Sequence, residues 1–214
     1  MRRRNLFGLS AAFVAAVCFV GSYAMSQDKH GDKNKPAAGA AAGGMDDSMM
    51  KSMMEAATPG AQHKALAPMA GKFKFVNKFK MDPSQDWQVT EGTYEGEMGL
   101  DGRYLLVEVQ ANMMGMPFQG MGVMGYDNTI KKYVAGWIDN MGTGVMRSEG
   151  TSSDGGKTIV FNGEMMCPIE HVMKAYKYQY EIKSNDEFVM RWWTPSMSDK
   201  KVFESMVITY TREK

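Results

Sequence analysis

The sequence predicts an all-β protein: an antiparallel up-and-down β-barrel of about ten strands, preceded by short N-terminal helices. Beyond residue 71 apolar residues recur with a period of two, and no helical interval separates one such run from the next. Turn signals such as Asp101-Gly102, Asp127-Asn128 and Asp154-Gly155-Gly156 punctuate the runs. Strands joined so tightly pair antiparallel, and a sheet of that many strands removes its edges by closing on itself. A two-sheet sandwich is the alternative.

The elements follow in chain order. Arg2, Arg3 and Arg4, an apolar run over 6–20 and the small residues Gly21, Ser22 and Ala24 read as a signal peptide over 1–24. The run is shorter than the roughly 20 residues a membrane span needs. The mature protein is therefore expected in the periplasm or secreted, with no membrane span. Arg3-Arg4-Asn5-Leu6-Phe7 also resembles a twin-arginine signal, and Val17 before Cys18 argues against a lipid anchor. Residues 25–45, rich in Lys, Asp, Gly, Ala and Pro, cannot bury enough surface to order themselves and read as a disordered linker.

Asp46-Asp47-Ser48 caps a short Met-rich helix over 46–58, with Met49, Met50, Met53 and Met54 in one stripe. The barrel domain spans 59–214 and opens on a second short helix over 59–70, closed by Gly71. Phe73, Phe75 and Phe79 then oppose Lys72, Lys74, Lys78 and Lys80, a half-buried strand. Further strands are expected over 87–98, 103–110, 118–126, 131–139, 145–151, 158–164, 174–183, 187–194 and 201–211. Alternation is clearest where Tyr176, Tyr178, Tyr180 and Ile182 oppose Ala175, Lys177, Gln179 and Glu181.

The chain resembles the domain of unknown function 1579 family, small exported bacterial proteins, over about 60–213. The resemblance rests on Gln62-His63-Lys64-Ala65-Leu66, the PFQGMGVMGYDN and KKYVAGWIDNMGTG runs over 117–144, and the closing Tyr210-Thr211-Arg212. Cys167-Pro168 departs from it, where an acidic residue before the proline is expected. The resemblance implies a lipocalin-like barrel and brings no established activity with it. Gly71-Lys72-Phe73 also looks like the Gly-x-aromatic opening of lipocalin-type barrels, which would lay Arg212 of the last strand across Phe73.

Composition narrows the function. Once the leader's three arginines are removed, 22 Lys and Arg face 24 Asp and Glu, a balance that gives no footprint for nucleic acid or an anionic membrane. Cys167 is then the single cysteine, so no intrachain disulfide forms. No nucleophile elbow, zinc-ligand spacing or phosphate loop occurs, and the sequence leans against an enzyme and names no catalytic residue.

The reading that fits is a barrel binding a small, largely apolar ligand, with Phe118, Tyr126, Tyr133, Trp137, Asp139, Arg191 and Glu204 as the candidate contacts. Trp137 and Asp139 share a strand face with Tyr133; Glu204 shares one with Met206 and Ile208; Arg191 offers a fork for an anionic head or for Glu204. Gly120, Gly122, Gly125 and Gly136 either allow close strand approach or open a cavity wall. The alternative is a side-chain-filled barrel whose Met-rich helix docks on itself or on a partner. With 23 methionines a thioether copper site is a further reading, and haem would need His63 or His171; no cofactor or metal site is expected.

Overall fold

Period-two alternation resolves into ten strands among the residues that the computed structural model describes, 46–113, 115–167, 170–196 and 198–214. The leader and the linker lie outside the described residues. The strands are β1 Gly71–Phe79, β2 Gln88–Gly99, β3 Tyr104–Met113, β4 Met116–Asp127 and β5 Lys132–Asp139, then β6 Met146–Thr151, β7 Thr158–Met166, β8 Met173–Ile182, β9 Glu187–Pro195 and β10 Val202–Arg212. Each pairs antiparallel with its sequence neighbours, and β10 closes on β1 with Phe73 opposite Arg212 and Phe79 opposite Met206. The result is a closed barrel, so the sandwich alternative falls away. No helix among the described residues is long and apolar enough to cross a membrane.

The turn between β4 and β5 shows how local chemistry sets the register. Asp127 Oδ1 accepts the backbone N–H groups of Thr129 and Ile130 at 2.7 and 3.3 Å, and Lys131 takes a left-handed φ of 56°. Strand β5 therefore begins at Lys132, one residue later than the alternation implied.

Helix α1, Asp47–Ala57, starts where Asp46 accepts the Met49 N–H at 2.7 Å. It buries none of its residues. Its last carbonyls are taken up by the barrel: Asn128 Nδ2 donates to Thr58 O at 2.8 Å and to Ala56 O at 3.2 Å, and Arg103 Nε donates to Ala57 O at 3.2 Å. The single helix expected over 59–70 is instead α2, Ala61–Lys64, followed by a 3-10 turn at Ala67–Met69. Pro68 is the cause, since it lacks an N–H and its ring clashes with the preceding turn of a continuous helix.

This broken segment plugs one end of the barrel. Leu66 and Met69 are fully buried, and Tyr94 donates its hydroxyl to Met69 O at 3.0 Å. Arg212 latches the plug from above: Nη1 donates to Ala70 O and Nη2 to Pro68 O, both at 2.9 Å, while Nε donates to Asn185 O at 2.7 Å. Its guanidinium lies 4.4 Å from the Phe73 ring centroid, the contact that the lipocalin-type opening implied. Gly71 makes room for it. A Cβ there would fall 2.0 Å from Arg212 Nη1, at a φ of 124° that L side chains rarely adopt.

His63 sits in the same plug, almost fully buried, with Nδ1 accepting the Gly60 N–H at 3.0 Å and its ring edge-on to Tyr126. Burial, reinforced by the nearby Arg103 charge, lowers its pKa below the usual 6.5. The folded form thus resists a proton that the unfolded chain accepts near pH 6.5, so the stabilisation is complete above that pH and is lost as pH falls below it. Urea unfolding should show a weaker barrel at pH 5 than at pH 7.5, and His63→Gln should flatten that part of the slope. An equal slope in both proteins would remove His63 from the effect.

Candidate functional site

Away from the plug, the strand ends enclose a cavity of about 390 Å³. Residues at or just beyond these ends reach it: Thr90 near the start of β2, Met113 at the end of β3, Met141 after β5, Met146 at the start of β6 and Met165 near the end of β7. With Met124, Met190 and Met206 these thioethers give the cavity a soft, adaptable lining.

Aromatic rings supply the rest of the wall. On β8 and β9, Tyr178 stacks on Trp192 at 5.0 Å and 5°, and Tyr176 stacks on Trp192 at 4.7 Å and 19°. The Tyr178 hydroxyl lies 2.6 Å from Ser148 Oγ. Burial pushes the phenols of Tyr178, Tyr180 and Tyr210 well above their ordinary value of 10, so they stay neutral. No Lys, Arg or His is among the lining residues, and Asp139 is the one carboxylate.

Asp139 is already partnered. Trp137 Nε1 donates to its Oδ2 at 2.8 Å, and the Met141 backbone N–H donates to its Oδ1 at 2.9 Å. The Trp137 indole lies flat over β4 because that strand has no side chain there: a Cβ at Gly120 would meet Trp137 Cζ2 at 2.2 Å, and one at Gly122 would meet Cε3 at 3.0 Å. Close approach of ring to backbone is thus the role of these two glycines. Gly120→Ala should displace the indole, cost about 1–3 kcal/mol and shift the tryptophan emission. An unchanged spectrum and midpoint would show that the ring does not need the gap.

The structure divides the seven candidate contacts. Phe118, Trp137 and Asp139 line the cavity. Tyr126 and Tyr133 face inward at the plugged end instead, 5.1 Å apart and edge-on, with Tyr126 also against His63. Arg191 and Glu204 pair with each other at 3.1 Å, apart from the cavity lining. A β-bulge between Glu204 and Met206 is the reason: Glu204 stands opposite Trp193, whereas Met206 stands opposite Trp192. One extra residue reverses the face of what precedes it, so Glu204 no longer shares a face with Met206 and Ile208. Trp193 in turn lies under the exposed Lys177 amine, 5.1 Å from its ring centroid, which marks that side as the outer one.

Sequence reasoning passed over Asn77, Ser148 and the Tyr178–Trp192 stack. For Asn77 a signal existed, because it is the one polar residue at an inward position of GKFKFVNKF. A second depression, about 630 Å³, lies along the outer wall beside Val123, Val134, Arg147 and Glu149. It is open to solvent, and its Lys132 and Glu149 side chains pair with each other, so the interior is the better candidate. Among the described residues no group of three or more His, Cys, Asp or Glu is placed to hold a metal ion.

The family described as "Protein of unknown function (DUF1579)" matches residues 58–212, well over half of the chain. The chain belongs to the DUF1579 family. In this DUF1579 protein the match begins just after α1 and ends at Arg212, so it takes in plug, barrel and cavity but not the Met-rich helix. The fold is similar to Rv2717c from M. tuberculosis, with 13% identity over 73% of this chain and 100% of that one and a TM-score of 0.51. It is also similar to the S-type phycobiliprotein lyase CPES from Guillardia theta, with 9% identity over 76% and 97% of the two chains and a TM-score of 0.53. At such identities the likeness is one of fold alone. No curated protein matches this DUF1579 chain.

Proposed function

We propose that this DUF1579 protein binds a small, largely apolar molecule inside its barrel, and does so outside the cytoplasm. The supporting observation is the cavity of about 390 Å³ with aromatic and thioether walls. Small-molecule sites run to about 300–1,000 Å³, so the volume suits a compact ligand and speaks against a fully packed interior. The export reading rests on the basic, apolar and small-residue order of residues 1–24, and fractionation of the native host tests it.

Native mass spectrometry of protein purified from its own host should reveal a bound organic mass. Trp137→Phe and Asp139→Asn should weaken its retention without unfolding the chain, Trp137→Phe by about tenfold through the lost Asp139 contact. Full retention by both variants removes this pair from the site. Recovery of bare protein alone overturns the ligand reading, and a copper mass would move weight to the methionines.

A second reading has its own observation. Met49, Met50 and Met54 on α1 are all exposed, an apolar helix face suited to weak self-association. Sedimentation at high and low concentration tests it: Met50→Glu with Met54→Glu should abolish any concentration dependence.

A further inference from the structure

We infer that the cavity takes a neutral ligand with a flat apolar body and a single hydrogen-bond donor, a hydroxyl or amide N–H, and that Asn77 receives that donor. The inference rests on the interior being a ligand site. Asn77 is 5% exposed and lines the cavity, and its Oδ1 has no hydrogen-bond partner among the described residues. A buried carboxamide oxygen without a donor is unfavourable, and the inward neighbours Phe73 and Phe75 show that an apolar residue suits this strand face. Its cross-strand neighbours, Thr90 and Ile208, leave it unpaired. What stabilises such a group is a donor that arrives with a ligand.

The rest of the wall defines the remainder of that ligand. No cationic side chain lines the cavity, so a carboxylate or phosphate would enter without a counter-charge. Each oxygen of Asp139 already accepts one hydrogen bond, from the Trp137 indole and from the Met141 N–H, whereas Asn77 Oδ1 is a buried side-chain oxygen with no donor at all among the described residues. Ser148 Oγ and Tyr178 Oη share one hydrogen bond, so neither oxygen is without a partner. Stacked rings on β8 and β9, the indole lying flat on β4 and the methionine sulfurs around them favour an aromatic or similarly flat body.

The test uses three probes of nearly equal size, 1-naphthol, 1-methylnaphthalene and 1-naphthoate, titrated calorimetrically into purified wild type and Asn77→Leu. Wild type should bind 1-naphthol about tenfold more tightly than either of the others. Asn77→Leu should erase the preference for 1-naphthol over 1-methylnaphthalene while holding 1-methylnaphthalene within about twofold of wild type. Equal wild-type affinity for these two probes, or the same preference in the variant, overturns the Asn77 anchor and leaves the cavity reading standing. Failure of every probe to bind wild type overturns the cavity reading, and the anchor with it. Melting supplies a readout independent of ligand: removing an orphaned polar group should raise the midpoint of Asn77→Leu by about 2–8 °C. A lower midpoint would mark Asn77 as a satisfied structural group and overturn the inference.

Discussion

Phe188→Ala is expected to lower the unfolding free energy by about 3–5 kcal/mol, the largest loss foreseen for a single side chain in this protein. Phe188 is 1% exposed and lies under the plug, where four strands converge. Its ring stacks on Tyr210 of β10 at 4.2 Å and 13°, and meets Phe73 of β1 and Tyr94 of β2 edge-on at 5.0 and 5.4 Å. These contacts span the β10–β1 seam that closes the barrel, so a void here removes packing on both sides of the closure. For a chain of this size the loss corresponds to a fall in melting temperature of about 6–20 °C. Phe188→Leu, which keeps most of the volume, should cost less than half as much. Denaturant unfolding of both variants, followed by tryptophan emission, measures the pair. A loss below about 1 kcal/mol for alanine would mean that the surrounding rings collapse into the gap.

Arg212→Met should cost about 3 kcal/mol, the next largest effect, although the residue lies at the end of the last strand. The substitution keeps much of the stem but removes three hydrogen bonds to the Pro68, Ala70 and Asn185 carbonyls and the cation from the face of Phe73. The ion pair with the exposed Asp186 at 3.4 Å adds little to that sum. Arg212→Lys should recover less than half, because an ammonium cannot hold the three carbonyls in one planar fork. The consequence is local before it is global: without the latch the plug opens more often than the barrel unfolds. Amide hydrogen exchange at Leu66, Met69 and Ala70, whose N–H groups bond within the plug, should accelerate more than exchange in β4 or β7. Uniform acceleration across all strands would show that plug and barrel open as one unit.

The strands were legible because side-chain period is a local property. Tyr176, Tyr178 and Tyr180 on one face of β8, and Trp137 with Asp139 on one face of β5, could be placed together from spacing alone, and the Trp137–Asp139 hydrogen bond bears out their common face. Period two separates inward from outward, but it carries no information about depth along the barrel. Tyr133 and Trp137 share a face of β5, yet one packs beside the plug and the other beside the cavity. The bulge at Glu204 was invisible for a related reason, since an extra residue in β10 has meaning only against its partner β9. Pro68 is a different kind of miss. Its effect on the second helix follows from the residue itself.

The order and alternation of ten strands and the turns between them could be read from the chain alone, because they depend on neighbours a few residues apart, and the family follows from the match over 58–212. The unfilled volume inside the barrel, the unmet oxygen of Asn77 and the pairing of Arg191 with Glu204 emerge when the barrel closes. Each depends on register and closure between segments distant in the chain, and period-two alternation cannot encode which side chains those long-range pairings bring face to face.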